Sequence, residues 1–155
     1  MKLVDILGYL VINYPKPNDL SKGRLNKLVY LCDWKSSIDN YETISNIEWK
    51  FNHYGPYVDD IISEINKDDR FQIKVEINQY GNEKHLIILK NTKGFTSPNE
   101  KEKKILDKII DITFNLNWTD FINAVYSTYP ITNSERGTYL NLVELAKNYN
   151  KSKEE

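Results

Sequence analysis

The chain of 155 residues carries 21 basic and 22 acidic side chains, for a formal net charge of -1 at pH 7. A chain of this length fits one domain, residues 1–155, which buries about 70% of the surface that it exposes when unfolded. The hydrophobic share of 40% and the charged share of 28% are typical of a globular protein rather than a disordered one. The balanced charge argues against non-specific binding of nucleic acid as the main role.

Three further features of the sequence restrict the class of protein. No apolar run approaches the ~18 residues that a membrane span needs, and Lys2 and Asp5 interrupt what would be the apolar region of a signal peptide. Cys32 is the only cysteine, which excludes an intramolecular disulfide and a cysteine-based zinc site. We therefore expect a cytoplasmic protein with no bound metal and no cofactor.

Six helices are predicted from apolar periodicity and from helix-start signals. The first contains Leu3, Ile6, Leu7 and Leu10 at helical spacing and ends before Pro15. The second begins near Asp19 or Ser21 and ends near Trp34. The other four are a short helix that begins at Pro56, one that begins with the capping box at Ser97–Glu100, one from 118 to about 126, and one over 142–149.

Three strands are predicted from alternating apolar and polar residues, over 47–53, 71–77 and 85–90, the last two joined as a hairpin at Gly81-Asn82. Tyr54–Tyr57 turns the chain, 130–137 is a loop, and 151–155 is a solvated tail. The predicted fold class is α+β, with about six helices packed around a small three-stranded antiparallel sheet.

No catalytic group stands out in the sequence, so we expect no enzyme. His53 is in phase with Trp49 and Phe51 and is predicted to be packed, while His85 is predicted to lie at the hairpin edge. Cys32 shares a stripe with apolar residues, which predicts a buried thiol. The pairs Asp59-Asp60 and Asp68-Asp69 do not converge on one point, because adjacent helical residues lie about 100° apart.

The near-neutral total charge conceals two oppositely charged stretches. Residues 16–35 contain five basic and two acidic side chains, whereas residues 36–70 contain eight acidic and three basic ones. Either the two stretches neutralise each other or face water, or the acidic one docks a basic protein partner. The neighbouring tyrosines favour a protein contact, since tyrosine is enriched at hot spots. The candidate partner-binding residues are Tyr54, Gly55, Pro56, Tyr57, Asp59, Asp60 and Glu64.

The alternative is binding of nucleic acid through the basic residues of the second helix, Lys22, Arg24 and Lys27. Only three arginines occur in the chain, and arginine is the commonest reader of guanine edges.

Several segments together resemble a known family. Residues 25–33 are similar to the second-helix signature of the Panacea domain, the SocA-like antitoxin domain, which is also phage-associated. Trp49-Lys50-Phe51 followed by Tyr54–Tyr57 and a helix with Ile61-Ile62 resembles its tyrosine-glycine-proline motif. Residues 128–130 and 140–146 resemble the C-terminal part of one branch.

The resemblance implies a bacterial antitoxin that binds and neutralises a toxin, often encoded next door, without catalysis. It leaves open a proteolysis adaptor, a phage-encoded inhibitor of a host defence protein, and a DNA-binding regulator of the protein's own operon. It implies no cofactor and leaves the homo-oligomeric state open. The motif positions, which are read either as structural or as binding residues, are Leu25, Lys27, Leu28, Tyr30 and Trp49.

Overall fold

The computed structural model describes residues 1–154, and these residues form seven α-helices and five β-strands, which confirms the α+β class. The helices are α1 Leu3–Asn13, α2 Lys22–Asn40, α3 Asp60–Lys67, α4 Glu100–Thr113, α5 Trp118–Tyr126, α6 Tyr129–Thr132 and α7 Leu142–Lys153. The strands are β1 Trp49–Asn52, β2 Gly55–Tyr57, β3 Phe71–Ile77, β4 Glu83–Leu89 and β5 Tyr139–Leu140. No helix within residues 1–154 has the length and apolar character to cross a membrane.

The helix α2 lies at the centre of the fold. Ser21 caps its first turn by accepting the backbone N–H of Arg24 at 3.1 Å, and its residues from Arg24 to Trp34 are all buried. A helix that is buried on every side shows little amphipathic contrast. It continues to Asn40 rather than ending near Trp34, and within this extension the hydroxyl of Ser37 donates to the carbonyl of Asp33 at 2.7 Å. It ends where Tyr41 takes a left-handed conformation, φ 55°.

The three-stranded sheet has the antiparallel order β2-β1-β5, and the β3–β4 hairpin is a separate two-stranded ribbon. A three-stranded antiparallel sheet was predicted, but its strands are not those that the alternation indicated. Only β1 comes from the predicted set, and the other two strands are short segments at 55–57 and 139–140. Strands of two or three residues carry too little alternation to be recognised in the sequence.

Residues 54–57 do not form the predicted turn into a helix. His53 and Tyr54 make the turn after β1, and Gly55 re-enters the sheet with φ 95°, a value that favours glycine. Pro56 then lies opposite Phe51 on the edge strand β2, where proline is tolerated because its missing N–H need not face a neighbour. The next helix begins at Asp60 rather than at Pro56.

Three smaller predictions are corrected. His53 is exposed rather than packed, because the strand ends at Asn52 and the turn directs the histidine away from the core. The capping box of α4 consists of Asn99 and Glu102 rather than Ser97 and Glu100. Part of the predicted loop at 130–137 is the short helix α6.

The predicted tail, 151–155, is only partly described. Helix α7 continues through Lys153, and Glu155 lies outside the described residues. The assignment of residues 1–155 to one domain stays a prediction.

Candidate protein-interaction site

The outward face of the three-stranded sheet carries a row of two tyrosines with a lysine between them. Lys50 pairs with Tyr57 across β1–β2 and with Tyr139 across β1–β5, so the three side chains share one face. The Nζ atom of Lys50 lies 5.6 Å from the centre of the Tyr139 ring, within cation–π range. Tyr139 is 69% exposed. We call Tyr57, Lys50 and Tyr139 the tyrosine row.

A groove of about 620 Å³ runs along this row, and three carboxylates lie on its wall: Glu48, Asp59 and Asp60. All three residues are exposed, and none forms an ion pair within residues 1–154. Burial, together with the neighbouring Asp59 carboxylate, raises the pKa of the Tyr57 hydroxyl. A side-chain hydrogen bond between the Tyr57 hydroxyl and the Asp59 carboxylate contributes to the same rise. We call this feature the acidic groove; it holds three negative charges against the one positive charge of Lys50.

The structure brings together only part of the predicted partner-binding set. Tyr57, Asp59 and Asp60 line the acidic groove, whereas Tyr54 is 75% exposed at the β1–β2 turn outside it. Glu64 is half-buried on α3, one helical turn after Asp60.

The turn residues of that set are buried. A Cβ on Gly55 would lie 3.4 Å from the Cζ atom of Tyr126 on α5, and Pro56 is also enclosed. Gly55 and Pro56 therefore shape the sheet edge from within and offer no side-chain surface to a partner.

Sequence reasoning missed Glu48, Lys50 and Tyr139 as members of this surface. Glu48 and Lys50 alternate with the buried Trp49, so their outward position could have been found from the strand pattern. Tyr139 could not, because only the pairing of β5 with β1 brings it beside Lys50.

The family-motif residues Leu25, Lys27, Leu28, Tyr30 and Trp49 are all buried. The ring of Tyr30 meets Trp49 edge to face with centroids 5.6 Å apart, and its hydroxyl shares a 2.8 Å hydrogen bond with the Thr128 hydroxyl. In these contacts Tyr30 joins α2 to the sheet on one side and to the segment before α6 on the other.

Asp33, in the same motif, is the most highly connected polar side chain in the core. Its carboxylate accepts the backbone N–H groups of Ile44 and Ser45 at 2.9 and 3.0 Å, the indole N–H of Trp49 at 2.8 Å, and the Ser45 hydroxyl. Burial raises the pKa of this carboxyl, and the four donors oppose that rise. Asp33 thus fastens the segment between α2 and β1 to the central helix. Sequence reasoning did not single out this role.

The basic residues of the second helix do not form an exposed face along which a nucleic-acid backbone could lie. Arg24 and Lys27 are 2% and 5% exposed, and only Lys22 faces solvent. Burial lowers the pKa of Lys27, which makes no ion pair or hydrogen bond within residues 1–154. This geometry counts against the nucleic-acid alternative.

The remaining reactive side chains are dispersed. Cys32 is buried, which raises the pKa of its thiol well above the usual value and keeps it protonated. His85 lies at the hairpin beside Glu83, 3.2 Å away, as the sequence predicted. Within residues 1–154, no three His, Cys, Asp or Glu side chains are grouped so that they could hold a metal ion.

The α+β fold thus places a carboxylate-lined groove beside the half-buried Tyr57 and the exposed Tyr139. The model of the family "Antitoxin SocA-like, Panacea domain" matches residues 25–130, and the chain belongs to this family. The match begins at Leu25 of the buried motif and ends at Pro130, so it contains the four strands β1 to β4 and the helices α3 to α5. It does not reach residues 140–146. No curated protein and no solved structure matches the chain.

Proposed function

We propose that the protein binds a basic toxin through the acidic groove and the tyrosine row and neutralises it by contact, without a reaction of its own. Family membership indicates an antitoxin role. The observation that supports this site is the set of three exposed carboxylates, Glu48, Asp59 and Asp60, which make no ion pair within residues 1–154 and lie beside Tyr57 and Tyr139. We also propose that the protein acts in the bacterial cytoplasm.

The chemistry of the groove fits a partner that presents lysine or arginine. Complementary charge speeds association and disfavours wrong partners, while tyrosine supplies contact area with little loss of rotamer freedom. Lys50 lies between the two tyrosines and repels a partner's cation from the middle of the row. A basic side chain therefore fits best toward the rim, where Asp59 and Asp60 lie at the start of α3.

A growth assay tests this proposal in the cell. The product of the neighbouring gene is expressed from an inducible promoter, alone and together with this protein. We expect growth arrest in the first case and growth in the second. Co-expression of the double variant Asp59→Lys/Asp60→Lys should restore growth poorly, because the change reverses the charge of the groove.

The matched control is Glu100→Lys/Asp111→Lys. It makes the same change of charge at two exposed residues of α4, and Glu100, like Asp60, lies in the first turn of its helix. This control should restore growth as the unchanged protein does. If both double variants restore growth equally well, the acidic groove is not the toxin-binding site. A neighbouring gene product that is harmless, or that stays toxic in the presence of this protein, would contradict the antitoxin role itself.

A further inference from the structure

A second cavity, of about 640 Å³, lies at the start of α2 and shares no residue with the acidic groove. Its walls are the first turns of α2 and α5, the segment 115–117 and the first residues of β4. Its volume falls within the range of about 300–1,000 Å³ that small-molecule sites occupy. Neither the proposed function nor the family motif uses this cavity.

The wall of this cavity carries an excess of positive charge. Of its two carboxylates, Asp19 lies 3.9 Å from the Nζ atom of Lys84, and Glu83 lies 3.2 Å from the Nε2 atom of His85. Lys22 and Arg24, in contrast, make no ion pair within residues 1–154. The charged or titratable residues of the wall are Lys16, Asp19, Lys22, Arg24, Glu83, Lys84 and His85.

Arg24 is a buried cation with a donor to spare. Its Nη1 atom donates to the Tyr14 hydroxyl at 3.1 Å and to the Thr113 carbonyl at 3.4 Å, and its Nη2 atom donates to the Leu116 carbonyl at 3.0 Å. These acceptors are all neutral, and the Nε–H group has no acceptor among the described residues. The guanidinium also lies 4.5 Å from the centre of the Phe121 ring, so its charge meets neutral groups and an aromatic face but no counter-ion among the described residues. The Nε atom is itself enclosed, so it is the uncompensated charge of Arg24, rather than this donor, that favours an anion nearby.

Two helix starts meet at the same cavity. The caps of α2 and α5 satisfy the third amide of each helix, at Arg24 and Asp120. The backbone N–H groups of the first residues of these helices, Lys22 in α2 and Trp118 in α5, have no acceptor within residues 1–154. Free amides at a helix start, with the positive end of the helix dipole behind them, bind phosphate.

The cavity also offers a flat apolar surface. Trp118 lines it and is half exposed, whereas the other two tryptophans, Trp34 and Trp49, are buried in the core. Aromatic side chains in such positions stack on the rings of bases. We propose that this cavity binds a mononucleotide, with its phosphates near Lys22, Arg24 and the two helix starts and its base against Trp118.

Fluorescence titration of the full-length protein with ATP tests the proposal. Because Trp34 and Trp49 are buried, a ligand at Trp118 should produce a saturable change in tryptophan emission. Lys22→Glu should weaken ATP binding about tenfold, the cost of losing one charge-assisted contact. Lys104→Glu, the same change at an exposed lysine of α4 outside this cavity, should leave the affinity unchanged.

Trp118→Ala provides the second variant, with binding measured by calorimetry and folding checked by circular dichroism. The Trp118→Ala variant should bind ATP more weakly than the unchanged protein does. Its affinity for ATP should be close to its affinity for inorganic phosphate, because the contact with the base is lost. The proposal is overturned if ATP causes no saturable change, or if Lys22→Glu and Lys104→Glu bind equally well. It is also overturned if inorganic phosphate binds the unchanged protein as tightly as ATP, or if a DNA duplex binds more tightly than ATP and depends on Lys22. If Lys22→Glu does not fold, Trp118→Ala decides: undiminished binding of ATP then overturns the proposal.

Discussion

At the scale of single residues, Asp33 shows how one buried carboxylate can hold a loop in place. The two carboxylate oxygens of Asp33 accept four hydrogen bonds, which come from Ile44, Ser45 and Trp49. Most of the hydrogen-bonding capacity of the carboxylate is therefore used. A buried carboxylate is costly unless its charge is met by such donors. These hydrogen bonds give the buried Asp33 carboxylate a structural role, which accounts for its presence in the core.

Replacing Asp33 by Asn should lower the free energy of unfolding by about 2 kcal/mol, because an amide NH₂ would face donors that now meet an oxygen. Urea denaturation of the full chain measures the change. Asp39→Asn is the matched control on the same helix, since Asp39 is exposed and forms only a surface ion pair with Lys35. The control should change stability by less than about 0.5 kcal/mol. Equal effects of the two variants would contradict the anchoring role of Asp33.

Lys27 presents the opposite case, a buried cation without a counter-ion in the described part of the chain. Burial lowers its pKa in the folded state below the usual 10.5, so the unfolded chain binds more protons between these two values. The free energy of unfolding contributed by this residue therefore rises with pH across that window and levels off above 10.5. At neutral pH the buried charge is a net cost.

Lys27→Met should accordingly raise the stability at neutral pH by about 1 kcal/mol, since an apolar side chain of similar length removes the buried charge. The gain over the unchanged protein should shrink as the pH approaches 10.5. Lys104→Met, at an exposed position of α4, should show neither effect. A gain that is independent of pH would show that desolvation of the Lys27 ammonium is not its cause.

At the scale of the elements, the β1–β2 hairpin is what aligns Tyr57 with Lys50, and Gly55 is its critical position. The backbone of Gly55 has φ 95°, and its open side faces the ring of Tyr126. Gly55 therefore fixes the direction of β2 and lies against Tyr126 of α5. A side chain at this position would have to adopt a positive φ and also fit beside the Tyr126 ring.

Gly55→Ala should lower the melting temperature more than Gly81→Ala does. Both glycines have positive φ, so both variants bear a backbone cost of about 1–2 kcal/mol. Gly55 is buried in β2, where the new Cβ would lie 3.4 Å from Tyr126 and the strand pairing opposes any backbone shift, whereas Gly81 is exposed with nothing within 4 Å. Equal losses on thermal denaturation would contradict the constraint that the buried strand places on Gly55.

The elements also show what the sequence could and could not predict. The positions of most helices and of the long β3–β4 hairpin followed from periodicity, because each spans at least two turns or several alternations. The small sheet did not, because β2 and β5 contain three and two residues and pair only through the fold. The acidic side of the candidate site was predictable from composition at Asp59 and Asp60. Its tyrosine row was not, since Tyr139 comes from a strand 80 residues beyond Asp59 in sequence.

At the scale of the whole molecule, the net charge of -1 arises because a basic stretch and an acidic stretch of the chain nearly cancel. The basic stretch at 16–35 is largely internal or lines the second cavity, since Arg24 and Lys27 are buried. The acidic stretch keeps Glu48, Asp59 and Asp60 exposed in one groove. A near-neutral protein of this family can therefore offer a strongly acidic surface to one partner.

The dissociation constant of the toxin complex is the measurement that bears most directly on the role of the acidic groove. It is measured by calorimetry, with the product of the neighbouring gene as the partner, for three forms of this protein: unchanged, Asp59→Lys/Asp60→Lys, and Glu100→Lys/Asp111→Lys. Reversal of the charge of the groove should weaken binding at least about 100-fold, because two charge contacts are lost, and the control should change the affinity less than about threefold. Equal affinities for the two double variants, with both proteins folded, would contradict the assignment of the acidic groove as the toxin-binding surface.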